Sequence, residues 1–198
     1  MKLSVNTYIS NTHVEGPGLR DCIYLQGCLK MCRDCISYDT WSLDGGKEVE
    51  VEYLADKILS NIDIEGVTFS GGEPLLQSRG LYELGKVLKE NKLTITVFTG
   101  YSYDIIRKVN NATWNNLLSI TDLLITGPYN KEEACYDRIW IGSRNQEYHF
   151  LTDRYKYLEK KLDKMKNKVE LRFNSDGSII VNGIADSKEI RKIMEEIK

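Results

Sequence analysis

The sequence predicts an α/β fold, an incomplete barrel of parallel strands with a small C-terminal appendage. Three observations carry this. Apolar strand-like runs and amphipathic helical stretches alternate at least three times between residues 21 and 126, as parallel strands joined by right-handed crossovers do. Each strand-like run ends in a polar, glycine-bearing turn, the edge at which α/β barrels place their chemistry. The core that holds this alternation spans about 150 residues, too short for eight βα units, which typically need about 250.

Taken in order, the N-terminal piece leads to Asn11 and then to Glu15-Gly16-Pro17-Gly18-Leu19-Arg20. Gly16-Pro17-Gly18 reads as a turn, because proline presets one dihedral and glycine permits positive φ. Residues 21–26 (Asp21-Cys22-Ile23-Tyr24-Leu25-Gln26) read as a buried strand ended by Gly27, with Cys22 a small buried hydrophobe inside it. A cysteine loop, Cys28-Leu29-Lys30-Met31-Cys32-Arg33-Asp34-Cys35, begins at the next residue. It closes past Thr40-Trp41, and a helix follows over 51–59, with Leu54 and Ile58 on one face. Gly66-Val67-Thr68-Phe69-Ser70 is a short strand entering Gly71-Gly72-Glu73-Pro74. The next helix carries Leu81, Leu84 and Leu88 on one stripe, which is core packing. Residues 93–98 alternate β-branched and apolar residues and end in Thr99-Gly100-Tyr101. A helix is expected over 104–111, and a strand over 122–126 ended by Gly127-Pro128. Residues 138–146 form a polar, glycine-bearing loop after a possible strand, and composition alone does not reject a plain surface loop.

The character changes near Tyr155. A lysine-rich helix is expected over 155–167, with Leu158 and Leu162 on one side. A hairpin follows, its strands flanking Asn174-Ser175-Asp176-Gly177, since Asp-Gly favours the tight turn. A last helix runs over 187–197 with Ile190, Ile193, Met194 and Ile197 on one stripe, and Asp186 and Glu189 are spaced as a capping box. The domain reading is therefore a core over 1–154 and an appendage over 155–198.

Three thiolates at Cys-x3-Cys-x2-Cys spacing suit one face of a cubane iron–sulfur cluster and leave one iron without a protein ligand. A zinc site, a disulfide pair and ordinary buried cysteines remain as other readings of the spacing. Zinc needs a fourth ligand at motif spacing, and neither His13 nor His149 stands there. Gly71 and Gly72 let the backbone approach a ligand closely, and Glu73 adds a carboxylate suited to an ammonium group. Alone, such a segment is more often only a strand-to-helix turn.

Composition limits the function classes. A formal net charge of −2 gives no sign of a nucleic-acid or membrane surface. No stretch approaches the roughly 18 apolar residues of a spanning helix. Five cysteines without a secretion signal point to a reducing cytoplasm, where clustered cysteines bind metal or do redox chemistry more often than they form bridges.

The ordered set Asn11, Gly16-Pro17-Gly18-x-Arg20, Gln26-Gly27-Cys28-x3-Cys32-x2-Cys35, Thr40-Trp41, Ser70-Gly71-Gly72-Glu73-Pro74-Leu75, Thr99-Gly100-Tyr101, Gly127-Pro128-Tyr129 and Gly142-Ser143-x-Asn145-Gln146 resembles the radical S-adenosylmethionine superfamily. Within it, the set is most similar to the activating enzymes of anaerobic ribonucleotide reductase. The resemblance spans about residues 11 to 155 and implies an incomplete (βα)6-type partial barrel. It also implies that Cys28, Cys32 and Cys35 hold a [4Fe–4S] cluster whose open iron takes the amino and carboxylate groups of S-adenosylmethionine. Gly71, Gly72, Glu73 and Pro74 match the motif that contacts the methionine amino group, and Thr99 and Gly100 line the same pocket by position. No catalytic residue beyond these contacts is expected. Reductive cleavage of the sulfonium yields a 5′-deoxyadenosyl radical, which in an activase takes a hydrogen from a glycine of a large partner enzyme. Asp34, Ile36, Ser37 and Thr126 depart from the usual pattern, around the cofactor rather than on its ligands.

The expected function is thus an anaerobic oxidoreductase of the glycyl-radical-enzyme activase type, its partner anaerobic ribonucleotide reductase. With no second cysteine cluster, electrons come from an external donor such as flavodoxin or ferredoxin. An alternative is a radical S-adenosylmethionine enzyme modifying a small molecule or a peptide. A third is an electron-carrying module, which needs a fourth cluster ligand. Only Cys22 and Cys135 are spare, and neither has motif spacing.

Overall fold

The computed structural model describes residues 1–196, without the side chains of Ser187 and Met194. The chain is α/β, built on one mixed seven-stranded sheet. Its strands are β1 (Lys2–Thr12), β2 (Arg20–Leu25), β3 (Lys47–Glu50), β4 (Gly66–Gly71), β5 (Thr94–Thr99), β6 (Leu123–Thr126) and β7 (Glu147–Phe150), in spatial order β3-β1-β2-β4-β5-β6-β7. β2, β4, β5 and β6 pair with one another in parallel, whereas β1 pairs antiparallel with both β2 and β3 at one edge and β7 pairs antiparallel with β6 at the other. The expectation of an all-parallel sheet is corrected here. β1 joins β2 through a turn, with Thr12 opposite Arg20, and a hairpin connection cannot make parallel neighbours. β1, which the sequence reading did not single out, buries Leu3 and Val5 at period-2 spacing.

The four parallel strands are separated by α1 (Val51–Leu59), α2 (Ser78–Glu90) and the pair α3 (Tyr103–Val109) and α4 (Ala112–Ser119). α1 buries Val51, Leu54, Ala55 and Ile58, the i, i+3, i+4, i+7 stripe of an amphipathic helix. The helix expected over 104–111 ends early, because Asn110 takes a left-handed conformation and Asn111 caps α4 by accepting from Thr113 N and Trp114 N. One sheet face packs Ile23, Leu25, Val67, Phe69, Ile95 and Val97 against the helices' Leu54, Ile58, Leu81, Leu84 and Leu88. Each fully buried side chain of this kind contributes roughly 1.5–3 kcal/mol.

The opposite face is covered differently. Leu123 and Ile125 pack against Ile139, Trp140, Ile141, Tyr155 and Leu158. Residues 139–143 are therefore buried rather than a surface loop, with Ser143 wholly covered. Nor is 155–167 the expected helix: the chain makes 3-10 turns at Asp153–Leu158 and Leu162–Lys164. The tighter turns put Tyr155 and Leu158 on one side, since side chains three apart eclipse there. Tyr155 then reaches Thr94 Oγ1 at 2.6 Å.

Beyond these turns β8 (Val169–Phe173) and β9 (Ile179–Gly183) form the expected hairpin, followed by α5 (Ser187–Glu196). Asp186 accepts from Lys188 N at 2.8 Å at the start of α5. Of its expected apolar stripe, the Met194 side chain and Ile197 lie outside what is described, and Ile193 is exposed. The hairpin bonds to the end of β1. His13 N donates to Glu170 Oε1 at 2.7 Å, and Arg172 donates to the Asn11 carbonyl at 2.8 Å.

Candidate active site

The parallel strands bring the chemistry to one edge. β2, β4 and β6 are each followed or ended by a glycine at positive φ: Gly27 at 96°, Gly71 at 90° and Gly127 at 107°. A Cβ at Gly71 would stand 2.5 Å from Leu25 N, so glycine alone fits beside β2.

Two backbone bonds join the ends of β2 and β4. Gly72 N donates to the Leu25 carbonyl at 2.9 Å, and Glu73 N donates to the Gly27 carbonyl at 2.8 Å. The residue that opens the cysteine loop is thus hydrogen-bonded to the Gly-Gly-Glu turn. The loop's base is closed by Gly27 N to Thr40 O (2.7 Å) and Cys28 N to Trp41 O (3.1 Å), which accounts for Thr40-Trp41. Gln26 braces it from below, donating to the Ser42 carbonyl at 2.8 Å and accepting from Asn6 at 2.9 Å.

Within the loop, Met31 (φ 45°) and Asp34 (φ 58°) both take left-handed backbone conformations. Such strain in non-glycine residues is concentrated at functional sites. Asp34 also pairs with Lys131, tying the loop to the segment after β6. All three cysteines are half-buried and free. Burial pushes the Cys28 and Cys35 thiols above the usual range. Among the described residues no three His, Cys, Asp or Glu side chains converge on one point as a single metal ion requires. The three half-buried, free thiols share one loop, the donor set that suits a cubane with one iron left without a protein ligand. Cys22 is wholly buried inside β2, and Cys135 donates to Asp137 at 2.6 Å.

Glu73 was expected to offer its carboxylate to an ammonium group. It is 1% exposed, and its oxygens already accept from Leu75 N (3.0 Å), Thr99 Oγ1 (2.8 Å) and Gly100 N (2.9 Å). Its first task is therefore structural, binding the end of β4 to the end of β5. This brings Gly71, Gly72, Glu73, Pro74, Thr99 and Gly100 together. Burial raises its pKa, and the three donors oppose that rise. The Gly142-Ser143-x-Asn145-Gln146 motif locks the end of β6. Gln146 Oε1 accepts from Gly142 N at 2.8 Å, its amide donates to Gly127 O at 3.1 Å, and Asn145 donates to Pro128 O at 2.8 Å.

A profile of the 4Fe-4S single cluster domain matches residues 14–149. A pyruvate formate-lyase-activating enzyme of Clostridium pasteurianum is 33% identical over 192 residues, covering 93% of this chain and 72% of the relative. An anaerobic ribonucleoside-triphosphate reductase-activating protein of Vibrio cholerae is 31% identical over 147 residues, covering 70% of this chain and 92% of the relative. The chain belongs to the glycyl-radical-enzyme activases of the radical S-adenosylmethionine superfamily. As an activase of this kind it uses a [4Fe–4S] cluster and S-adenosylmethionine. No helix among the described residues is long and apolar enough to cross a membrane.

Sequence reasoning left one buried group of this activase without a role. Glu15, 5% exposed, accepts from Tyr24 Oη (2.7 Å), Asn182 Nδ2 (3.3 Å) and Gly183 N (2.7 Å), so β9 reaches the inner sheet face through it. The alternation of apolar residues along β9 carries no sign of this contact. Burial pushes the Glu15 carboxyl up. Below the ordinary glutamate pKa both folded and unfolded chains hold the proton. As pH rises past that value the unfolded chain ionises first, and stability falls until the raised folded pKa is passed. Glu15→Gln keeps the accepting oxygen and removes the titration. Denaturant unfolding should show it gaining on the wild type as pH rises above about 4; parallel curves would refute the assignment. A cavity of about 270 Å³ lies between Gly16-Pro17-Gly18 and Trp140, Leu158 and Met165. It contains none of the cysteine or Gly-Gly-Glu residues.

Proposed function

We propose that the activase installs a glycyl radical on a large partner enzyme, of which anaerobic ribonucleotide reductase is the first candidate. The pair of bonds between the Gly-Gly-Glu turn and residues 25–27 carries this reading, because it sets the three cysteines beside the cofactor turn on one open edge. Cys28, Cys32 and Cys35 would hold the cluster, while the backbone of Gly71 and Gly72, with Pro74, Thr99 and Gly100, would line the S-adenosylmethionine pocket. When bound and reduced by an external carrier, the cofactor pair supplies one-electron cleavage of a sulfonium and hence a hydrogen-abstracting radical. The chain's own part is to orient: Glu73 fixes the β4–β5 spacing, Gln26 and Thr40 hold the loop base, and Gln146 shapes the β6 end.

In the same proposal residues 1–154 are the core, an opened barrel of which the four parallel strands are the centre, and 155–198 are its appendage. The bonds from β8 and β9 to Asn11, His13 and Glu15 support an appendage seated beside the core.

The test mixes reduced protein, S-adenosylmethionine and purified candidate partner without oxygen. Electron paramagnetic resonance should show a glycyl doublet only when both proteins are present. Cleavage of S-adenosylmethionine with no doublet on any partner, together with consumption of a small metabolite or a peptide, would transfer the assignment to that substrate class.

A further inference from the structure

The β8–β9 hairpin is fastened to the core by polar groups. Among the described residues, no apolar side chain of β8 or β9 belongs to either hydrophobic cluster. A two-stranded hairpin is marginal by itself, so its hydrogen bonds to residues 10–15 decide whether it stays. Arg172 donates to the carbonyls of Ser10 and Asn11, and His13 N donates to Glu170. At the end of β9, Asn182 Nδ2 donates to Thr12 Oγ1 at 2.9 Å and to Glu15 Oε1 at 3.3 Å. Gly183 N donates to the same Glu15 oxygen at 2.7 Å. The fit is incomplete. Asn182 is 4% exposed, yet its Oδ1 has no partner among the described residues, and an unpaired buried acceptor weakens the hold.

This contact lies beside the edge that carries the cysteine loop. Glu15 Oε1 also accepts from Tyr24 Oη at 2.7 Å. Tyr24 stands opposite Ser70, one residue before the Leu25 whose carbonyl holds Gly72. Successive side chains of a strand point to opposite faces, so Tyr24 points away from Ile23 and Leu25, which pack under the helices. Tyr24, Ser70 and Phe98 are only half-buried. In the function proposed above, the hydrogen comes from a backbone glycine of the partner. Glycine has no side chain to extend, so the partner's main chain must itself come to this edge. The face under α1 and α2 is shut to it, which leaves the inner face, and there Gly183 already offers a glycine N–H to Glu15. We propose that the Asn182-Gly183 end of β9 is an internal strap, a competitor of the partner's glycine segment that is displaced when that segment enters. The strap rests on the proposed function and adds a control on access to it, built from the chain's own appendage.

The experiment uses the full chain, wild type and Asn182→Ala, each reconstituted anaerobically to equal cluster content. Alanine removes both bonds of the Asn182 amide and leaves the cysteine loop untouched. Hydrogen–deuterium exchange of residues 179–183 is followed with and without the purified candidate partner, and partner affinity is measured by calorimetry. In wild type, adding the partner should speed exchange along β9. N182A should show the faster exchange without the partner and bind the partner about tenfold tighter, as expected when two hydrogen bonds are taken from a competing closed state. Cleavage of S-adenosylmethionine without the partner should be the same in both proteins. Slower β9 exchange on adding the partner overturns the strap, as does N182A affinity equal to or weaker than that of wild type. In those cases a glycyl doublet from both proteins leaves the proposed function standing. If neither protein gives a doublet with any partner, the proposed function fails and the strap with it.

Discussion

Alanine at Cys32 is expected to leave the protein without a [4Fe–4S] cluster after anaerobic reconstitution, and so without cleavage of S-adenosylmethionine. The cysteine loop offers three thiols and no histidine or fourth cysteine at neighbouring positions. Two thiolates cannot retain a cubane that already lacks one protein ligand. Alanine at Cys28 or Cys35 should behave in the same way. Cys22→Ala and Cys135→Ala are the controls, because Cys22 is sealed inside β2 and Cys135 is engaged with Asp137. Both controls should reconstitute to about one cluster per chain. Iron and sulfide analysis with the visible absorption of the cluster provides the measurement, and a Cys32→Ala protein with full cluster content would end the ligand assignment.

Alanine at Gly72 is expected to damage two functions with one methyl group. From the sequence, a side chain at Gly72 threatens only the approach of a ligand to the turn, which would weaken cofactor binding and spare the cluster. The structure changes this expectation. A Cβ on Gly72 would lie 2.4 Å from the Gly27 carbonyl oxygen and 3.1 Å from the Leu25 oxygen, both backbone atoms that cannot rotate away. The same carbonyls accept the bonds from Glu73 N and Gly72 N, so the methyl group would push apart the two strand ends that those bonds join. Overpacking of this kind costs about 1–3 kcal/mol. Because Gly27 immediately precedes Cys28, Gly72→Ala should lower cluster content as well as cofactor affinity, with a lower unfolding midpoint in denaturant. Normal cluster content with an unchanged midpoint would show that the strand ends tolerate separation and that Gly72 serves the ligand alone.

The contrast between these two residues shows what kinds of feature could be read from the chain. Cysteine spacing is a local property, since three ligands within eight residues must share one loop whatever the fold around them. Strand and helix periodicity is equally local, and α1, α2, β4 and β5 stand where their apolar patterns put them. The lysine-rich stretch after Tyr155 misled for a related reason. Its composition favours a helix, but Tyr155 and Leu158 are drawn into a core made with Leu123 and Ile125, and packing outweighs a propensity of a few tenths of a kcal/mol per residue.

By itself, then, the sequence determined the α/β class, the chemistry of the cysteine loop and the turn that faces it, because each depends on residues close together in the chain. Only the tertiary structure decided the rest. It engaged Glu73 as a brace between β4 and β5, buried 139–143, bound Glu15 to Gly183, and laid Lys30 over Tyr101. Each of these joins residues dozens of positions apart or more, up to 168. The physical reason is common to them: the state of a charged or polar side chain depends on which donors and rings enclose it, and those arrive from other strands only when the sheet has formed.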